Sequence, residues 1–486
     1  MKEKSVFARE AEGLRGKRCL VVGLASTGIS VARFLKRCGA VVTGTDSKAL
    51  GALPGAAELM DSGAAPHHFS SFTFSSNTDI VNGKWCGAEM VIVSPGVPRS
   101  HPLLDVARKN GAEVISDIEL ACRFMDCPVV AIAGTNGKST TTTLLGAILE
   151  NAGKRVFTGG NLGTPAIECA EAVLDKGIGF DAVVWEISSF HLETTRRFNP
   201  RIGVLLNITE DHLDRYKDFA DYAATKFRLL ENQGPADYAV LNVNDPVIAG
   251  YLKKGLAGKG KVIKFSVEGV LTEGRGALQG RDAPQGLFLR GSDIVYMNAG
   301  AEEVYPTAGF KLSGLHNIEN IMAAIASARV LGINKDVILK TLSEFKGLHH
   351  RMELVRRFGG VAFVDDSKGT NVGSLVMALR GMKTPVVLIA GGRDKGGDYG
   401  VLRDLVRDKV KAMILIGEAR FRIQDCLGAF TETALADSME DAVAKACLRA
   451  AKGDTVLLCP ACSSFDMFKS YKERGDVFKA LVGKLQ

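Results

Sequence analysis

The feature that most constrains this chain is an alternation that runs almost from end to end. Short β-branched apolar runs recur, and amphipathic helical stretches lie between most of them. The runs include Cys19–Gly23, Val41–Asp46, Met90–Ser94, Val129–Ala133, Ala182–Ile187 and Ile202–Asn207. Tyr238–Asn242, Val361–Asp365, Val386–Ala390, Ala412–Gly417 and Thr455–Cys459 continue the series. Parallel strands need a crossover, usually a helix, so the alternation predicts parallel α/β sheets. One stretch breaks the pattern. Val270–Pro306 is rich in Gly, polar and β-forming residues without helical period, and predicts an antiparallel ribbon or small sheet. Ser70–Gly87 is polar and turn-rich and reads as a surface insertion.

A chain of 486 residues holds two to four domains at roughly 100–200 residues each, with three the central expectation. Helical segments give way to new strand series near residues 118 and 347. The expected domains are therefore 1–118, 119–347 and 348–486. Hydrophobic residues are 46% and charged residues 24%, which excludes a disordered, collagenous or coiled-coil chain. Lys+Arg is 61 against Asp+Glu 54, a net charge of +7. That mild excess suits anionic small molecules. No basic stripe is present, so nucleic acid is not expected as a partner. The 54 glycines against 14 prolines point to tight turns and phosphate-cradling loops. Ten scattered cysteines, several inside apolar runs, fit a reducing cytosol. Cys459-Pro-Ala-Cys462 is the one C-x-x-C, and no second pair stands at zinc spacing. No apolar stretch approaches the length of a membrane span, so a cytoplasmic protein without a membrane partner is expected.

Two turns carry phosphate chemistry. The first is Gly23-Leu-Ala-Ser-Thr-Gly28, which follows a strand and opens a helix, with Asp46 at the end of the next strand. The spacing matches the dinucleotide fingerprint. Ala25 stands where a second Gly would let a pyrophosphate approach. A nucleotide held in another pose and a purely connecting turn both remain open. The second turn is Gly134-Thr135-Asn136-Gly137-Lys138-Ser139-Thr140, between the strand Val129–Ala133 and a helix bearing Leu144, Leu145, Ile148 and Leu149. Backbone N–H groups there would cradle phosphate, Lys138 would reach the outer phosphates, and the Ser139 hydroxyl would bind Mg²⁺. Ile132 occupies the first Gly position of the longer P-loop pattern, so the loop is a shortened version of it.

The loop Gly134–Ser139 resembles the GTNGK[ST] loop of the Mur ligase family, and other motifs of that family follow in order. They are Gly160-Asn161-Leu-Gly163-Thr-Pro165, Glu186-Ile-Ser-Ser-Phe190, Asn207-Ile-Thr-Glu-Asp-His212-Leu-Asp214 and Tyr222-Ala-Ala-Thr-Lys226. Gly314-Leu-His-Asn317-Ile-Glu-Asn320, His350-Arg351-Met-Glu353 and Asp366-Ser-Lys368-Gly-Thr370-Asn371 complete the set. The resemblance spans nearly the whole chain. It implies three α/β domains: a Rossmann-like N-terminal domain, a P-loop ATPase-like central domain with a small antiparallel sheet, and a Rossmann-like C-terminal domain.

The resemblance also implies roles. Gly134 through Thr140, Asn317, Asn320, Arg351 and Asp366 would bind ATP, with Arg351 and Asp366 reaching it across a cleft. Ser139, Glu186, His212 and Lys226 would hold two Mg²⁺ ions, Lys226 as its carbamate. Lys138, Glu186, His212, Lys226 and Lys368 would form the catalytic set. Taken alone, Glu186 reads as a solvated strand-end charge, His212 as structural and Lys226 as a solvated helix lysine. Ser26, Thr27, Asp46, Ser47, Ser94, Gly96, Asn161 and His212 would bind a UDP-linked substrate.

Within the family, Pro460-Ala-Cys-Ser-Ser464-Phe465-Asp466-Met-Phe468 is similar to the SPACASLDQF signature of the branch that adds D-glutamate to UDP-N-acetylmuramoyl-L-alanine. Thr370, Lys395, Ser464, Phe465 and Tyr471 would then meet the D-glutamate. Cys459 stands where that branch has Ser, Phe465 where it has Leu, and Tyr471 where it has Phe. The DNP[RA] motif of the diaminopimelate- or lysine-adding branch is absent. A monomer is expected. A sister ligase with another amino-acid acceptor is the alternative. A nicotinamide oxidoreductase built on Gly23–Asp46 and a nucleotide switch built on Gly134–Ser139 are the competing classes.

Overall fold

Continuous apolar runs make strands that can be buried on both faces, and this chain uses them at the centre of three sheets. In the computed structural model, residues 5–53, 55, 59, 71–75, 80, 85–177, 179–268, 285–298, 300–312 and 314–485 are described. The first sheet contains β1 (Arg18–Val22), β2 (Val41–Thr45), β3 (Ser71–Phe74), β4 (Met90–Val93) and β5 (Glu113–Ser116). Its order is β3-β2-β1-β4-β5, parallel throughout.

The second sheet contains β6 (Val129–Ala133), β7 (Val156–Gly160), β8 (Ala182–Glu186), β9 (Ile202–Leu205) and β10 (Tyr238–Asn242). It continues through β11 (Lys261–Ser266), β12 (Gly286–Arg290), β13 (Asp293–Asn298) and β14 (Ala301–Tyr305). Its order is β14-β13-β12-β11-β10-β9-β6-β8-β7. The expected antiparallel ribbon is β12-β13-β14. It continues the central sheet, because β12 pairs in parallel with β11. Part of the Val270–Pro306 stretch, residues 270–284 and 299, lies outside the described residues.

The third sheet contains β15 (Glu353–Phe358), β16 (Val361–Asp365), β17 (Val386–Gly391), β18 (Val410–Ile416), β19 (Glu432–Leu435) and β20 (Thr455–Leu458). Its order is β15-β16-β20-β17-β18-β19, with only β15 antiparallel to its neighbour.

The reading of Ser70–Gly87 as a surface insertion is corrected. Ser71–Phe74 is the edge strand β3, paired to β2. Gly44 makes room for the Phe72 ring: a Cβ there would stand 2.7 Å from it. Ile80 is fully buried, and Trp85 and Cys86 pack on the same core. Polar residues between the aromatics hide this pattern in sequence. Residues 76–79 and 81–84 lie outside the described residues.

The chain divides into two compact units. One contains Met1–Asn207, Ala220–Ala308 and Glu319–Thr341, and so carries the first two sheets. The other contains Ile208–Phe219, Gly309–Ile318 and Leu342–Gln486, and carries the third. Within the first unit, helix Ser26–Arg37 packs on helix Ile167–Lys176 and ties the two sheets together. Arg33 forks onto Glu171 through Nε and Nη2, both at 2.7 Å. Arg37 adds bonds to Glu171 and Asp175, and Ser30 Oγ donates to Glu168 Oε1 at 2.9 Å. No described helix is long and apolar enough to cross a membrane. All ten cysteines are free thiols.

Candidate functional site

In open parallel sheets, ligands bind beyond the carboxyl ends of the strands, where the strand order reverses. The sequence-predicted residues fall at such places. In the first sheet β1 lies between β2 and β4, and the turn 23–28 leaves its end. Leu24 N–H donates to Asp46 Oδ2 at 2.7 Å, and Ser94 Oγ donates to Gly23 O at 2.6 Å. Asp46 Oδ1 accepts from Lys48 N–H at 2.9 Å and from Ser47 Oγ at 3.3 Å. Ser94 therefore shapes the turn through its hydroxyl. Gly28 is required, since a Cβ would meet Gly23 O at 1.9 Å. Helix Ser26–Arg37 begins with no side-chain cap, leaving first-turn N–H groups beside Ser26 and Thr27 for an anion. Gly96, beyond the end of β4, has open space where a Cβ would stand.

In the second sheet the turn 134–137 leaves β6, which lies between β9 and β8. Gly137 caps helix Lys138–Asn151 with a left-handed φ of 86°, and a Cβ there would stand 2.2 Å from Asn320 Oδ1. Asn207, at the end of β9, staples the loop. Its Oδ1 accepts from Asn136 N–H at 2.8 Å, and its Nδ2 donates to Asn136 O at 3.1 Å. Thr135 N–H donates to Asn207 O at 2.8 Å. Thr141 Oγ1 donates to Asn320 Oδ1 at 3.2 Å, which fixes Asn320 behind the loop. Asn320 lies on helix Leu315–Val330, and Asn317, buried, sits in the first turn of that helix with its N–H on Gly314 O at 3.0 Å.

Two ammonium groups meet one carbonyl here. Lys138 Nζ donates to Gly134 O at 3.0 Å and Thr135 O at 2.8 Å. Lys226 Nζ, on helix Phe219–Phe227, donates to Gly134 O at 2.9 Å. Lys226 is only 2% exposed and its Nζ lies 4.7 Å from the Tyr222 ring centroid. The Tyr222 hydroxyl pairs with Thr135 Oγ1 at 3.1 Å. Ser139 and Thr140 are buried in the first turn of the helix. Glu186 closes β8, next to β6, and its Oε1 accepts from Asn161 Nδ2 at 2.8 Å. The surroundings of the loop thus offer hydroxyl and carboxylate oxygens, the donor set a hard divalent cation takes.

In the second unit, three loops leave the adjacent strands β16, β20 and β17 and are woven together. Ala461 N–H donates to Gly369 O at 2.9 Å, and Gly391 N–H to Pro460 O at 2.9 Å. Arg393 and Ser463 exchange backbone bonds at 3.0 and 3.2 Å. This brings together the loops bearing Lys368 and Thr370, Lys395, and Ser464 and Phe465. Lys368 Nζ lies 5.2 Å from the Tyr471 ring centroid. Phe465 is 64% exposed, while Ser464 is buried. Lys395 pairs with Asp211 Oδ1 at 3.6 Å, and Asn371 Nδ2 donates to Asp211 Oδ2 at 3.0 Å. Asp211 also accepts from the N–H of His212, a residue held at φ 55°.

Arg351 sits between two residues in left-handed backbone, His350 at φ 61° and Met352 at φ 46°. His350 N–H donates to Glu353 Oε2 at 2.9 Å, and Met352 N–H to Asp366 Oδ1 at 3.2 Å. Cys459 Sγ donates to Asp366 Oδ2 at 3.2 Å. Burial pushes the Asp366 carboxyl up to about 6, against the opposing pull of Arg351 and the two hydrogen bonds. Burial and the Arg351 charge push His316 down to about 4.

Sequence reasoning missed three residues that organise this geometry. Asp211 and Cys459 act through partners far away in sequence. Arg474, 1% exposed, donates to Ser367 Oγ and O and to Cys462 O and Ser463 O, spanning two of the three loops. Arg is rarely buried so fully, and its place three residues after Tyr471 is the nearest sequence signal.

Fold and loops define a three-domain α/β protein with a glycine-bearing turn between β6 and the helix Lys138–Asn151. The sequence matches the N-terminal domain of MurD-like Mur ligases over residues 17–116, the Mur ligase middle domain over 132–328, and the Mur ligase glutamate ligase domain over 350–462. The chain belongs to the Mur ligase family, a family of ATP-dependent ligases. A UDP-N-acetylmuramoylalanine--D-glutamate ligase of Geotalea uraniireducens is 48% identical, over 97% of this chain and 98% of that one. One of the same name from Geobacter metallireducens is 46% identical with the same coverage. Among solved structures, a pseudomurein peptide ligase type C from Methanothermus fervidus matches with a TM-score of 0.59 at 20% identity, over 97% of this chain and 100% of that one. The UDP-N-acetylmuramate-alanine ligase of Thermotoga maritima matches with a TM-score of 0.55 at 18% identity, over 96% of this chain and 100% of that one.

Proposed function

We propose that this chain is an ATP-dependent ligase that joins D-glutamate to UDP-N-acetylmuramoyl-L-alanine in peptidoglycan precursor synthesis. What carries the reading is that relatives sharing nearly half its residues along the whole chain bear that activity in their names. Domains 1–118, 119–347 and 348–486 would serve the UDP moiety, ATP, and the amino acid with ATP, respectively. Family matches that end at 116 and 328 and begin at 132 and 350 support reading the chain in three parts.

The chemistry follows from the residues. The terminal carboxylate of the UDP-linked substrate attacks the γ-phosphorus of ATP, giving an acyl phosphate and ADP. The amine of D-glutamate attacks the acyl carbon, phosphate leaves with the bonding pair, and the amine loses its proton. The protein positions the reactants and offsets charge. Lys138 leaves its two carbonyls for the β- and γ-phosphates and balances charge during transfer. Lys368, held over Tyr471, gives a second positive group. Asn317, Asn320, Arg351 and Asp366 hold the nucleotide. Ser26, Thr27, Asp46, Ser47, Gly96 and Asn161 hold the UDP end, and Ser94 sets the turn that receives it. Thr370, Lys395, Ser464, Phe465 and Tyr471 receive D-glutamate.

The oxygen donors near the loop suit Mg²⁺. Ser139 and Glu186 would hold one ion. For a second, the motifs nominate His212 and Lys226 as its carbamate, and the placement of Lys226 Nζ on Gly134 O at the loop supports that choice. When bound, Mg²⁺ supplies charge neutralisation and a template for the phosphates.

The test is phosphate release from ATP with Mg²⁺ and UDP-N-acetylmuramoyl-L-alanine. D-Glu, L-Glu, D-Asp, L-Ala, L-Lys or meso-diaminopimelate is added in turn. Release with D-Glu alone supports the reading. Release with a different acceptor keeps the chemistry and overturns the assignment of Thr370 and Ser464.

A further inference from the structure

Asp366 is a buried carboxylate whose surroundings are nearly complete. Oδ1 takes the Met352 N–H and Oδ2 takes the Cys459 thiol. Asp366 and Cys459 directly follow β16 and β20, which are adjacent and parallel, and Asp366 N–H bonds to Leu458 O at 2.8 Å. Gly369 closes the remaining side: a Cβ there would stand 2.7 Å from both Asp366 Oδ2 and Cys459 Sγ. The pair is therefore held by backbone geometry. A carboxylate offers about four lone-pair sites, so these two hydrogen bonds do not exhaust its capacity to accept.

We propose that Cys459 is a positioning residue for nucleotide binding: its thiol orients the Asp366 carboxylate and sets how firmly negative charge is held there. This rests on the reading of Asp366 as a nucleotide ligand. A thiol is a weak donor and a hydroxyl a stronger one. With Cys at 459, the carboxylate is held less tightly than a hydroxyl would hold it. Charge-assisted bonds from O–H to a carboxylate are among the strong ones. The charged groups around Asp366 are Arg351, which favours its ionised form, and Asp365, which opposes it. Arg474 acts on the Cys459 side. Replacing Cys459 retains Arg351 and Asp365, so a change at 459 tests its own bond to Asp366. The buried, raised carboxyl places the sensitive range around pH 6.

The experiment measures KM for ATP against pH in the wild type, Cys459→Ser, Cys459→Ala and Asp366→Asn, with KM for D-glutamate and thermal melting alongside. The wild type loses ATP affinity as pH falls through about 6. Cys459→Ser moves that limb to lower pH and Cys459→Ala to higher pH, each by about 0.5–1 unit, the scale of one modest hydrogen bond. Asp366→Asn raises KM and abolishes the limb. The shift appears in KM for ATP and not in KM for D-glutamate, a split that a general packing defect would not produce. Should Cys459→Ala fail to fold, the serine variant still decides. A shared limb in wild type and Cys459→Ser, with the limb lost in Asp366→Asn, overturns the role of Cys459 alone. An unchanged ATP KM in Asp366→Asn removes Asp366 from nucleotide binding, and the inference with it.

Discussion

Lys138 and Lys226 converge on Gly134 O at the phosphate loop, and each makes a distinct prediction. On the proposed mechanism, Lys138→Ala would remove the charge that balances phosphoryl transfer. Turnover should fall about 10³-fold or more while ATP still binds. Near-normal turnover would take Lys138 out of the mechanism. Lys226→Ala should be severely impaired, with formate or acetate restoring part of the activity by standing in for the carbamate; full activity without them would show that no carbamate is needed. Asp366 gives a pH prediction with a definite sign. Its folded pKa, about 6, lies above the usual carboxylate range. Protonated Asp366 therefore stabilises the fold below roughly pH 4, and that contribution is lost as pH rises through 6. On the proposed role of Asp366, the ionised form would accept ligand hydroxyls and gains over the same interval, so stability and nucleotide affinity should change in opposite directions there. The loop glycines, Lys138 and Asp366 were legible in the sequence because motif spacing is local. Cys459 as the partner of Asp366 was not, because 93 residues separate them and only the pairing of β16 with β20 brings them together.

At the scale of elements, most central strands were legible and most edges were not. Val129–Ala133 is apolar at every position and buried at every position. The strands absent from the sequence reading are β3, β5, β7, β11, β15 and β19, and all except β11 lie at the edge of a sheet. An edge strand has one unpaired side and packs less completely, so its sequence carries polar residues that blur the apolar signal. β15 shows this, with exposed residues among half-buried ones. The loops beyond β16 and β20 depend on Arg474, which comes from helix Tyr471–Gly483. Burial pushes its guanidinium down to about 10, so it stays charged at neutral pH. Arg474→Ala would strand the Ser367, Cys462 and Ser463 acceptors in a dry site. We predict a loss of about 2–4 kcal/mol in urea unfolding. A loss below about 0.5 kcal/mol would mean that the loops hold their register without it.

For the whole molecule, the first two sheets form one unit joined by Arg33 and Arg37 on Glu171. Glu171 is nearly buried, so removing it leaves two arginines without their shared carboxylate. Glu171→Ala should separate the unfolding of the two sheets into distinct steps in calorimetry. A single unchanged transition would show that the helix packing alone couples them. In the proposed reaction the γ-phosphoryl group passes through the substrate carboxylate. UDP-N-acetylmuramoyl-L-alanine labelled with oxygen-18 in its terminal carboxylate should be incubated with ATP, Mg²⁺ and D-glutamate, and the released phosphate examined by mass spectrometry. Passage through an acyl phosphate predicts one labelled oxygen in each phosphate formed with amide product. Unlabelled phosphate alongside that product would contradict it.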